Sequence, residues 1–177
     1  MIELRPACWD DVRLLTTWIR SQGQLRVWAG PSLTWPLTEP ALRAYADAAS
    51  GVQLIWTAFT MTDGERVGQP VGHACLLVRE GGCEARLSRV LVNPARRGEG
   101  LGRALVAGAV RAAFAIEGIQ TLTLGVYAHN TPALRLYESL GFAEVGRAPA
   151  TFDADGERWT GIEMVLRRPD RYPDDPA

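Results

Sequence analysis

Histidine and cysteine are scarce in this 177-residue chain, with only His73, His129, Cys8, Cys75 and Cys83 present. The cysteines are odd in number and show no Cys-x-x-Cys spacing, so neither a disulfide framework nor a zinc site is expected. Cys75 and Cys83 read as small apolar residues in or beside strands, and the set fits a reducing, cytoplasmic setting. Charge of one sign is lacking too. The formal net charge is −1 and the arginines are scattered, so no basic stripe offers itself to nucleic acid. No apolar stretch reaches the roughly 18 residues of a membrane helix. The start, MIELRPACWDDVRLL, puts charges where a signal peptide has its apolar core, and no leader is expected. What is present is an ordinary globular composition, 47% apolar and 22% charged, in a length suited to one domain over 1–177.

Apolar periodicity divides the chain further. Residues 2–5 alternate as a short strand, and Asp10-Asp11 can cap a helix to about Arg20, with Val12, Leu15 and Ile19 on one face. Residues 24–38 mix proline, glycine and tryptophan, and a helix follows from about Glu39 with Pro40 in its first turn. Strands are predicted at 53–60, 71–78 and 84–92, with turns at 62–65 and 80–82. A helix over 100–117, with Leu101, Leu105, Ala109 and Ala113 as its buried stripe, precedes a strand at 121–127. A helix at 131–140 and strands at 142–150 and 158–166 follow, the last two joined by a turn at 153–156, and the tail at 168–177 reads as loose. The expected fold is a single α/β domain, with a mixed, mostly antiparallel sheet of six to seven strands flanked by about four helices.

Residues 90–103 read VLVNPARRGEGLGR: a strand, a proline, then Arg97-Gly98-Glu99-Gly100-Leu101-Gly102 opening a helix. Free N–H groups at a helix start favour phosphate, glycines let the backbone wrap an anion, and Arg96, Arg97 and Arg103 add charge-assisted donors. Neither a Walker loop nor a G-x-G-x-x-G fingerprint is met. Arg97, Gly100 and Gly102 match Arg/Gln-x-x-Gly-x-Gly/Ala. About thirty residues on, Asn130, Ala133, Leu136, Tyr137, Gly141 and Phe142 match Asn-x-x-Ala-x-x-Leu-Tyr-x-x-x-Gly-Phe. With both segments in order, the chain resembles the GNAT superfamily of N-acetyltransferases over roughly residues 50–166.

The resemblance implies acetyl-CoA as acyl donor, a primary amine as acceptor and no metal. It also implies that Val90, Leu91 and Val92 hold the acetyl carbonyl and pantetheine arm. Backbone N–H groups of Gly98, Glu99, Gly100, Leu101, Gly102 and Arg103 would hold the pyrophosphate. Asn130 would bond near the thioester, and Tyr137 would sit near the sulfur and protonate the departing thiolate. The cofactor-binding part would be about 84–142. Many members place a glutamate six residues before the position of Val92; here that residue is Arg86, which cannot accept a proton. Glu84 acting through a water, His73, Asp153 and Glu163 stand as alternative bases. Arg86 itself is a candidate contact for an acidic acceptor.

Residues 20–50 would cover the acceptor. Four of the six tryptophans precede residue 36, and Trp28 and Trp35, in a loop-like stretch, read equally as core plugs or pocket walls. His129 reads as a loop histidine. Outside an acetyltransferase, the competing reading is an acyl-CoA-binding or sensor domain without catalysis. Either a monomer or a homodimer suits the length.

Overall fold

Among the described residues, alternating and β-branched runs build seven strands: β1 (Ile2–Pro6), β2 (Gln53–Thr62), β3 (Glu65–Val78), β4 (Glu84–Val92), β5 (Thr121–Tyr127), β6 (Ala143–Phe152) and β7 (Arg158–Arg167). The computed structural model describes residues 1–48, 52–152 and 158–169. It joins the strands into one sheet in the order β1-β2-β3-β4-β5-β7-β6. Neighbours are antiparallel except β4 and β5, which are parallel. This is the mixed, mostly antiparallel α/β sheet that the sequence predicts. The turn expected at 153–156, the candidate base Asp153 and residues 170–177 of the tail lie outside the described residues.

Helices cover both faces. On one, α5 (Leu101–Phe114) lays Leu105, Val106, Ala109 and Ala113 against Ala85, Leu87, Leu122 and Leu124. α6 (Thr131–Ser139) joins the same core through Tyr137. On the other face, α1 (Trp9–Arg13), α2 (Leu15–Trp18), α3 (Gln22–Ala29) and α4 (Glu39–Asp47) enclose a second core, in which Val12, Leu15, Leu25, Trp28, Leu42 and Tyr45 meet Ile55 and Cys75. Each of these leucines, buried fully, contributes about 1.5–3 kcal/mol.

Three local readings change. The helix expected from Asp10 to Arg20 is broken into α1 and α2, and its N-cap is Cys8: the Asp11 carboxylate accepts the Cys8 N–H at 3.0 Å and pairs with Arg5 at 2.8 Å. Residues 22–29, read as loop, form α3, capped by Ser21, whose hydroxyl accepts the Gln24 N–H at 3.2 Å. Ser21-x-x-Gln24 is a capping-box pattern that the nearby prolines and glycines obscured. β3 starts at Glu65 rather than Val71, because Asp63 (φ 51°) and Gly64 (φ 80°) make a two-residue hairpin turn that pairs Thr62 with Glu65.

Candidate active site

β4 and β5 pair over only three positions, Glu84–Arg86 with Thr121–Thr123. Beyond them β4 bulges: its register against β3 slips between His73 and Cys75, and Arg89 takes φ 51°, a conformation in which a bulge turns a strand aside. Trp28 on α3 supports the bulge, its Nε1–H donating to the Arg89 carbonyl at 2.8 Å. The Arg89 guanidinium lies 4.7 Å over the Tyr45 ring and donates to Ser32 Oγ at 3.0 Å. Between the diverging strands is a cavity of about 700 Å³, lined by Leu87–Val92 on one side and Leu124–Tyr127 on the other.

One end of the cavity is the glycine loop. Arg96, Arg97, Gly98, Gly100, Leu101 and Gly102 line it. Gly98 (φ 85°) and Gly100 (φ 74°) hold left-handed conformations that suit glycine. Gly100 caps α5 without a side chain, so a phosphate can approach the helix start directly. The Glu99 carboxylate is tied to the Arg96 guanidinium by two bonds of 2.7 Å, and one expected backbone donor is engaged elsewhere. The Arg103 N–H is spent on the Gly100 carbonyl at 3.1 Å, and its side chain reaches Ser139 Oγ at 2.6 Å.

Tyr137, Asn130, Ala133 and Leu136 line the middle. Tyr137 is 8% exposed, and burial pushes its phenol up to about 12, so it remains a proton donor through neutral and alkaline pH. Asn130 stands at the N-cap of α6 but makes no side-chain capping bond. Trp18, Gln24, Val27 and Trp28 also line the cavity, as do Tyr127, His129 and Trp159. His129 stacks on Tyr127 (5.7 Å, 12°) and meets Trp159 edge-on at 4.5 Å. Trp28 is therefore a buried helical residue and a cavity wall at once. Trp35, 40% exposed, is not in the lining. Sequence reasoning passed over Tyr127 and Trp159; their signal was alternation along β5 and β7, which turns Tyr127 and Gly125 to one face.

The candidate bases separate as well. Glu84 begins β4, outside the lining, and pairs with Arg79 at 3.6 Å. His73 lies in the core beneath the bulge, 2% exposed, bonded to the Tyr45 hydroxyl at 2.9 Å. Burial, with the Arg89 cation second, lowers its imidazole to about 3. An unfolded histidine protonates near 6.5, so this stabilisation is present in full above about pH 6.5 and is lost as pH falls toward 3. Denaturant unfolding at pH 6.5 and 4.5 should show His73→Gln losing less stability than wild type, by on the order of 2 kcal/mol. Arg86 does not face the cavity as a free cation; it is bound to Glu163 at 2.7 Å. Among the described residues no group of three potential metal ligands occurs, and no helix is long and apolar enough to cross a membrane.

The chain belongs to the acetyltransferase (GNAT) family, whose model matches residues 23–142. A Bacillus subtilis (strain 168) protein, YwnH, provisionally named a phosphinothricin acetyltransferase, is 39% identical over 70 residues, 40% of this chain and 42% of that protein. The match thus spans less than half of that relative. Among solved structures, spermidine N-acetyltransferase from Vibrio cholerae, in complex with CoA and spermine, superposes with a TM-score of 0.78 at 19% identity, covering 94% of this chain and 95% of that one. Ribosomal-protein-S18-alanine N-acetyltransferase from Escherichia coli gives 0.70 at 25% identity, with full coverage of both chains. The solved structures show the fold; the family rests on the match over residues 23–142.

Proposed function

We propose that the chain is an N-acetyltransferase that moves the acetyl group of acetyl-CoA to a primary amine by direct attack on the thioester. The observation that carries this reading is one continuous cavity, which joins the glycine-capped start of α5 to the buried phenol of Tyr137 along the unpaired stretch of β4. Gly98, Gly100 and Gly102, with Arg96 and Arg97, are suited to the pyrophosphate, and Val90–Val92 to the pantetheine and acetyl carbonyl. A backbone N–H of the bulged strand stabilises the oxyanion.

The proton balance follows from the chemistry. The acceptor enters as an ammonium and loses one proton, because only the neutral amine has a lone pair to give. Its nitrogen bonds to the carbonyl carbon, and the C–S bond breaks with its electron pair on sulfur. Tyr137 donates its O–H proton to that sulfur. The second proton leaving the nitrogen restores the phenol, so one proton reaches solvent per turnover. Asn130, free of a capping role, orients the thioester end of the donor.

The test is thiol release from acetyl-CoA by the purified chain over a panel of primary amines. Release that requires a particular amine supports the reading. Calorimetric binding of acetyl-CoA with no release by any amine would replace it with an acyl-CoA-binding module.

A further inference from the structure

Arg86 and Glu163 form a bidentate ion pair, Nη1 to Oε2 at 2.7 Å and Nη2 to Oε1 at 3.0 Å. The pair crosses over Gly125, which is opposite Glu163 in the β5–β7 register. A Cβ at residue 125 would stand 2.6 Å from Arg86 Nη2 and 3.1 Å from Glu163 Oε1, so a side chain there would displace the pair. Gly125 also belongs to the cavity wall. Arg86 is the last residue of β4 to pair with β5. Arg86 and Glu163 are not themselves in the lining; the carboxylate stands just behind it, over Gly125 and on the face of β5 that also carries Tyr127. Its side chain is 42% exposed.

A purely architectural role fits these facts poorly. Glycine inside a strand weakens it, and a half-exposed ion pair returns little stability. A carboxylate with a fixed direction at the edge of a cavity is what this arrangement produces. Each Glu163 oxygen accepts one N–H from Arg86, and a carboxylate has about four acceptor positions, so about two remain for a ligand. Those positions suit an ammonium group.

Resting on the acetyl-transfer reading, we infer that Glu163 receives the ammonium of the acceptor, with Arg86 as the positioning residue that aims it and Gly125 as the gap that admits both. The acceptor class that fits is an alkyl or arylalkyl primary amine. Its cation meets Glu163, and its apolar body lies against the wall of Tyr127 and Trp159. This reverses the expectation that Arg86 contacts an acidic acceptor.

The experiment is steady-state kinetics of wild type, Glu163→Gln and Arg86→Met with two nucleophiles. One is a cationic primary amine that wild type uses; the other is hydroxylamine, already neutral at pH 7. The acetyl-CoA dissociation constant of each protein is measured by calorimetry. Glu163→Gln should raise KM for the cationic amine by about 10- to 100-fold, the size of a hydrogen bond to a charged group. It should leave KM for hydroxylamine and acetyl-CoA binding unchanged, and Arg86→Met should move KM in the same direction by less. An unchanged KM, an equal loss on both nucleophiles, or weakened acetyl-CoA binding in Glu163→Gln would each overturn the inference. Acetyl-CoA binding without transfer to any amine by the wild type would overturn the acetyl-transfer reading, and this inference with it.

Discussion

Tyr137→Phe should lower the rate of acetyl transfer by about 100- to 10,000-fold, the usual worth of a positioned general acid, and leave acetyl-CoA binding unchanged. The substitution removes one oxygen and keeps the ring, which packs edge-on against Phe142 at 5.8 Å. Without a donor, sulfur must leave as a thiolate beside a buried ring. An ordinary thiol ionises near 8.5, and the burial that holds Tyr137 near 12 also raises the proton affinity of a thiolate beside it. Donor and acceptor thus shift in the same direction, and proton transfer between them stays feasible. Single-turnover rates together with calorimetry separate the outcomes. A loss confined to the chemical step supports the acid role, whereas a loss confined to binding would reduce Tyr137 to a packing residue.

Gly100→Val should weaken acetyl-CoA binding by about 100-fold or more. Gly100 caps α5 at φ 74°, and a β-branched residue held there costs on the order of 1–3 kcal/mol. The helix start relieves that strain by turning its N–H groups away from the anion, and each charge-assisted bond lost is worth about 1.5–3 kcal/mol. Gly102→Ala is the control. Its Cβ would meet Leu136 and Val92 at 3.5 and 3.7 Å, ordinary contacts, so the helix start keeps its conformation. If Gly102→Ala weakens binding as much as Gly100→Val, the ligand itself needs the space, and backbone conformation is not the controlling factor.

The order of elements and the glycine loop were legible in the sequence because both depend on neighbours along the chain: strand alternation, the Pro94 stop and the Gly98-x-Gly100-x-Gly102 spacing. Tyr137 was legible only through the resemblance, since an isolated Leu-Tyr on a helix reads as packing. The first fifty residues were read less well. Trp28 sits among Gly30, Pro31 and Pro36, and that composition hid a helix capped by Ser21. Arg86 and Glu163 were each singled out, but their pairing, which strand register sets, was out of reach. Gly125 and Glu163 are opposite each other across β5 and β7, and Arg86 joins them from β4. No local pattern announces a pair nearly eighty residues apart. The burial of His73 under Tyr45 and Trp28 belongs to the same class; it puts one of the four alternative bases in the core.

The short seam between β4 and β5 makes the sheet two panels, β1 to β4 and β5 to β6, stitched by three register pairs. A ligand lying between the panels becomes a structural member, like a keystone, and its concentration enters the stability of the protein. At about 100 times its dissociation constant, acetyl-CoA would add about 2.7 kcal/mol. Amide exchange should slow along 87–92 and 124–127, the two facing edges, and stay unchanged on β1 at the far rim. A chain built this way would be firmest with a ligand lying in the seam.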